Sequence, residues 1–333
     1  MTHVERIKAI ALEEHFATPS FFEGPGKWLR GRGSGTPGRS TRQIDQLLDV
    51  GDGRIAAMNE AGVDMQVLSL NSPGVEQLDT GEAIRIARDA NDYLSEAVRC
   101  HPRRFAGFAA LPMPSPADAA DELERAVRKL GLSGAAINGH VAGCYLDDRT
   151  FWPVLERAEA LGVPLYIHPT PPPQKVLEAS YLGSYSEEVA YTLSTSGWGW
   201  HIETALYILR MILGGAFDEY PKLQVIIGHL GEALPFMLQR IDRNLPREAT
   251  KLDRSMAEYL RGNVHYTFSG FNFTPAFLDL LMEVGVDRIM FSVDYPYGSM
   301  VAARAFLDGM PVSTADREKI AHGNAERLMS LHL

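Results

Sequence analysis

Eight strand-length runs of apolar and β-branched residues recur along this chain, with helix-like patterning between them. The runs are Lys8–His15, Val63–Asn71, Phe105–Leu111, Leu132–Gly139, Pro164–His168, Gln224–His229, Val264–Gly270 and Arg288–Asp294. Apolar positions at three- and four-residue spacing predict helices over Ala83–Val98, Ala117–Leu130, Thr150–Leu161, Glu203–Leu213 and Asp316–Leu331, and Thr274 before Pro275 reads as a helix cap. Nearly continuous apolar strands that alternate with helices imply a parallel sheet covered by helices. Eight such units in 333 residues without a linker predict an α/β protein with one domain over residues 1–333, a (β/α)8 or TIM barrel. A doubly wound sheet is the alternative, but no glycine-rich phosphate loop follows the first run.

Three connections exceed what a barrel needs: 16–41, rich in Gly, Pro and Arg; 169–196, opening on three prolines; and 295–303. All leave the carboxyl ends of predicted strands, the face on which barrel enzymes build their sites. The strand ends themselves carry polar residues. Glu13 and His15 lie two apart and share a face of the first strand, with Glu14 on the other. His168, His229 and Asp294 end the fifth, sixth and eighth runs. A single buried histidine or carboxylate is usually structural, but several meeting at one mouth would be costly to bury without a cation. Glu13, His15, His168 and Asp294 offer two nitrogens and two carboxylates, a mixed set suited to Zn²⁺ or Mn²⁺.

Composition narrows the partners. Thirty-two basic against forty-two acidic residues leave a net charge of −10, which argues against nucleic acid. No apolar stretch approaches the ~18 to 20 residues of a membrane span. The opening Met1–Lys8 reads as no signal peptide, and two cysteines fit a reducing cytoplasm better than a disulfide framework.

The motifs resemble those of the amidohydrolase superfamily, in the branch of metal-dependent nonoxidative decarboxylases of aromatic acids. That branch holds the γ-resorcylate, 2,3-dihydroxybenzoate and 5-carboxyvanillate decarboxylases, with aminocarboxymuconate semialdehyde decarboxylase more distant. The matching stretches are Ala11–Phe16, Val67–Pro73, Phe108–Pro112, Ile137–His140, Tyr166–Pro169, Phe217–Phe236, Arg240–Asp242 and Phe291–Pro296, in the expected order. The resemblance implies Glu13, His15, His168 and Asp294 as ligands of one divalent metal per chain. It implies His229 beside the reacting carbon, Glu232 as its orienting partner, and Asp294 as an alternative proton donor. Glu13-Glu14-His15 replaces the His-x-His of many hydrolytic members, and the fourth run has no lysine to bridge two metals. A metal-dependent hydrolase of a lactone or amide is the second reading.

Phe16, Trp198, Trp200 and Tyr297 are candidates for flat walls around an aromatic acid, and Asn138 for a hydroxyl binder. Tyr297 departs from the phenylalanine that close relatives carry there. Arg240 matches an arginine that relatives extend into a neighbouring subunit's site. It lies roughly 12 to 15 Å along its helix from the strand end, too far to return to its own metal. A homodimer or homotetramer is therefore expected.

Overall fold

The computed structural model of the protein describes residues 6–30 and 40–332; residues 1–5, 31–39 and 333, where the opening stretch and part of the first long connection fall, lie outside the described residues. Every expected strand is present, in shorter form. They are β1 (Ile10–Phe16), β2 (Met65–Leu70), β3 (Phe105–Gly107, resumed at Ala109–Ala110), β4 (Ala135–Asn138), β5 (Leu165–His168), β6 (Val225–Ile227), β7 (Val264–Thr267) and β8 (Ile289–Met290). Neighbours pair in parallel from β1 through to β8. At Phe108 the third strand changes partner, and its amide donates to the Leu68 carbonyl at 2.8 Å. The ring closes where Leu12 pairs with Ser292 and donates to the Phe291 carbonyl at 3.1 Å. The architecture is the expected α/β barrel.

Strand alternation sorts the core into two layers. Inward positions such as Leu12, Val67, Phe108, Tyr166, Ile226 and Met290 fill the lumen, and Ala325 and Met329 from the last helix close its amino-terminal end. Outward positions such as Ala11, Leu68, Ile167 and Ile227 pack beneath the helices. Each such Leu, Ile or Phe contributes about 1.5–3 kcal/mol on burial, so the lumen is a packed plug and not a pore. What sits above that plug defines the mouth.

Several boundaries differ from the sequence expectation. The helix expected from Glu203 begins at Gly199. Thr274 is the first helical residue and not the cap, because Phe273 already holds the extended cap conformation and no side chain caps the turn. The helix expected over Asp316–Leu331 is broken into Thr314–Glu318, a π turn at Lys319–Gly323, and Asn324–Met329. The wide turn has a purpose: the Ile320 carbonyl accepts the Phe291 amide at 2.9 Å, which secures the end of the very short β8. The connection after β5 is not bare loop but carries two short helices, Gln174–Ser180 and Glu187–Ser194. Among the described residues, no helix is long and apolar enough to cross a membrane.

Candidate active site

On β5, Tyr166 and His168 are two apart and face inward, so the histidine stands one layer above the tyrosine in the lumen. The Tyr166 hydroxyl donates to Glu13 Oε2, as does the Ser269 hydroxyl, with Thr267 Oγ1 at 3.4 Å. Hydroxyls from two strands thus hold one oxygen of Glu13. The other, Oε1, is buried without a hydrogen bond, although His168 Nε2 lies 3.4 Å away. The His15 and His168 rings stand edge to face at 4.8 Å, and His15 Nε2 is 3.1 Å from Asp294 Oδ1.

Glu13 and His15 do reach the same site, but by a bulge and not by simple alternation. The register with β2 slips between Ala11 and Glu14, and Glu13 takes a left-handed backbone at φ 62°. His229, Glu232 and Asp294 are also left-handed, at φ 51°, 54° and 67°. Such non-glycine residues cost on the order of 1–3 kcal/mol each, and their clustering at one mouth marks a functional centre. Gly228 permits the close approach of β6 to β1, since a Cβ there would lie 2.5 Å from Glu13 Oε2. Glu14 turns the other way and accepts the Val293 amide at 2.8 Å and the Tyr295 amide at 3.2 Å, tying β1 to the end of β8. Buried Arg54 donates to the His15 carbonyl at 2.6 Å and fixes the same strand end.

The electrostatics call for a cation. Burial, reinforced by Asp294 and Glu232, pushes the Glu13 carboxyl up to about 8 against the pull of the His229 imidazolium. Burial, then His15 and His229, holds His168 well below its usual range, so it is a neutral imidazole with a lone pair to give. Glu13, His15 and His168 present one ligand atom each, all within 4.8 Å of one another. An orphaned carboxylate oxygen beside two imidazoles fits a divalent ion of the first transition row, with Asp294 as a fourth ligand within reach of the cluster.

Across the mouth, His229 Nδ1 bonds Glu232 Oε1 at 2.7 Å. Burial alone would disfavour the charged ring, but Glu232 and then Glu13 outweigh it and raise His229 to about 10. A cavity of about 510 Å³ opens over these groups, and His15, His168, His229 and Asp294 form its floor. Its walls include Asn71, Trp200, Tyr191 and Tyr297. The Tyr297 hydroxyl donates to Asn71 Oδ1 at 2.6 Å. His140 closes the outer wall: Nδ1 accepts the Gly143 amide at 3.1 Å, and Nε2 donates to the Pro171 carbonyl at 3.2 Å.

Four of the expected substrate-binding residues do not line this cavity, of which Arg240 was expected to serve a neighbouring subunit's site and not its own. Phe16 follows His15 by one residue, so it faces the helices and stacks on Tyr93 at 6.2 Å. Asn138 is buried and gives its amide nitrogens to Glu76 Oε1, at 2.7 Å from the backbone. Trp198 is half-exposed at the start of its helix, and Trp200 occupies the wall instead. Arg240 lies exposed on the helix Leu234–Asn244, away from its own mouth. Sequence reasoning missed His201, whose Nδ1 lies 2.5 Å from Glu232 Oε2, and His140. His140 follows β4 by two residues, and the strand-end rule applied to the other histidines would have found it.

The family model described as Amidohydrolase matches residues 46–331. Gamma-resorcylate decarboxylase of Polaromonas sp. (strain JS666 / ATCC BAA-500) is 38% identical over 337 residues, covering 97% of this chain and 98% of that protein. The structure of a dihydroxybenzoic acid decarboxylase from Polaromonas sp. JS666, with bound manganese and the inhibitor 2-nitroresorcinol, matches with a TM-score of 0.88 at 37% identity, covering 98% of this chain and 97% of that one. A 2,6-dihydroxybenzoate decarboxylase complexed with 2,6-dihydroxybenzoate matches with a TM-score of 0.86 at 36% identity, over 98% and 99% of the two chains. A family model spanning most of the sequence, and relatives alike from end to end, make this chain a member of the amidohydrolase family.

Proposed function

We propose that this protein is a metal-dependent, nonoxidative decarboxylase of a hydroxylated aromatic acid, acting in the catabolism of aromatic compounds. The observation that carries the reading is His229, held by Glu232 at 2.7 Å, facing a cluster of metal-ligand residues across one aromatic-walled cavity. Glu13, His15, His168 and Asp294 would hold one divalent ion, manganese as in the similar structure or zinc. Held there, such an ion would supply positive charge to attract and orient an anionic substrate.

The chain's own residues then do the rest. Trp200, Tyr191 and Tyr297 exclude water and hold the ring flat. His229, with Nδ1 engaged by Glu232, keeps Nε2–H for the substrate. It donates that proton to the ring carbon bearing the carboxylate, so a C–H bond forms and aromaticity is lost. The carbon–carboxylate bond then breaks, its electron pair returns to the ring, and CO₂ leaves. Asp294, at the cavity floor beside His15, is the alternative donor in the same position.

The assembly we favour is a homodimer or homotetramer. Phe236 is 79% exposed and Met237 38% exposed, four and three residues before Arg240 on one helix face. Met282, on the helix joined to this one through Gln239 and Glu283, is 84% exposed. An exposed apolar patch around an arginine supports contact with a second copy whose acid-binding pocket Arg240 would complete. Exposed, unpaired Cys100 and Cys144 support a cytoplasmic location.

Manganese-loaded protein incubated with a panel of ortho-hydroxybenzoates, 2,6-dihydroxybenzoate among them, tests the function. Equimolar CO₂ and phenol support the lyase. Hydrolysis of lactones or amides with no CO₂ from any member of the panel would transfer the site to the hydrolase reading.

A further inference from the structure

Glu232 is a buried carboxylate with two histidine partners, of which only one touches the cavity floor. Its Oε1 meets His229 Nδ1 at 2.7 Å, and its Oε2 meets His201 Nδ1 at 2.5 Å. The two imidazoles stand 4.7 Å apart at 67°, and the ring of Phe271 packs against both, at 5.1 and 5.2 Å. Glu232 is 1% exposed, so no bulk water is available to replace a lost partner.

His201 arrives from a different element. It lies in the first turn of the helix Gly199–Leu213, and its Nε2 is 3.2 Å from the Ser196 carbonyl. Ser196 and Trp200, both shortly before it in the chain, line the cavity. The chain Ser196–His201–Glu232–His229 therefore runs from the cavity wall built after β5 to the proton donor built after β6.

We propose that His201 is a positioning residue for the reaction. By holding Glu232 Oε2 it fixes the plane of that carboxylate, and through it the tautomer and aim of His229. It also links the seating of Trp200 against the substrate ring to that aim. This rests on the decarboxylase reading, in which His229 serves the chemistry.

The geometry also dictates the variants. Leucine at 201 keeps the volume but offers Glu232 no donor. Asparagine carries an amide nitrogen close to the place of Nδ1 and can donate to Oε2. We expect His201→Leu to lower kcat about 10- to 100-fold, the range seen when the hydrogen-bond partner of a site residue is removed, with KM changed less than about threefold. Bound metal and melting temperature should stay as in the parent, and His201→Asn should recover most of the loss. In metal-free protein, the downfield proton signal of the His229–Glu232 bond should persist in His201→Asn and broaden in His201→Leu. Unchanged kcat in His201→Leu would overturn the proposal. So would equal losses in both variants accompanied by a lower melting temperature, since that pattern belongs to packing. The parent's own assay separates the two levels: no CO₂ from any ortho-hydroxybenzoate defeats the decarboxylase reading, whereas an active parent with an inactive His229→Asn and a fully active His201→Leu sinks the positioning role alone.

Discussion

Two buried histidines at opposite ends of the barrel lumen, His265 and His229, are pushed in opposite directions by their surroundings. His265, on β7, shares its inward face with Thr267 but sits at the amino-terminal end, 4% exposed. Burial, with Arg288 and Arg327 nearby, pulls it down to about 3, and its Nε2 is 3.0 Å from an Arg288 nitrogen. His229, at the carboxyl end and 9% exposed, is raised to about 10 because Glu232 and Glu13 outweigh the same penalty. Burial is similar, so the sign of the neighbours decides. At one end arginines make a neutral imidazole a passive acceptor; at the other, carboxylates make a charged imidazole a donor and leave Glu13 in need of a cation.

The sharpest way to break this contrast is at His229. His229→Asn should lower kcat by ~10²-fold or more, while bound metal and melting temperature remain those of the parent. Steady-state kinetics beside metal analysis checks both halves, and a fall in metal content would show that the residue belongs to the ligand set.

The opposite end should report through stability. The folded pKa of His265 lies below that of a free imidazole, so between pH ~6.5 and ~3 the unfolded chain takes up a proton that the folded chain refuses. Its contribution is complete above pH ~6.5 and is lost as pH falls, with a slope of up to about 1.4 kcal/mol per pH unit. His265→Gln should flatten denaturation midpoints over pH 4 to 6.5 relative to the parent and leave kcat within about twofold. Parallel curves for parent and variant would mean that His265 titrates normally.

The smallest effect concerns the wall. Tyr297→Phe removes the hydroxyl that donates to Asn71, a bond worth about 0.5–1.5 kcal/mol. Raised KM by roughly two- to tenfold with little change in kcat is expected in a substrate titration. A changed kcat with constant KM would place the hydroxyl in the chemistry.

Periodicity exposed all eight strands, because a buried parallel strand must be apolar over most of its length, and the polar residues that interrupt that rule gather at the mouth, with His265 at the other end as an exception. Contacts between distant elements were less legible. His201 and Glu232 are thirty-one positions apart on separate elements, and no local pattern joins them. The bulge at Glu13 left no glycine to announce it. Phe16 shows the reverse case: the alternation that placed His15 inward already placed its neighbour outward, against Tyr93. Trp198 precedes the helix with a non-helical backbone and is left half-exposed, whereas Trp200, in its first turn, faces the cavity.

Glu13, His15 and His168 bring their ligand atoms together at the carboxyl-end mouth as a site for one cation. Metal-free protein, saturated with Mn²⁺, passed through a desalting column and assayed by plasma emission, tests it most directly. One manganese per chain is expected in the parent, falling close to zero in a folded His168→Ala variant. No retained manganese in the parent, or an undiminished stoichiometry of one after His168→Ala, would contradict the account.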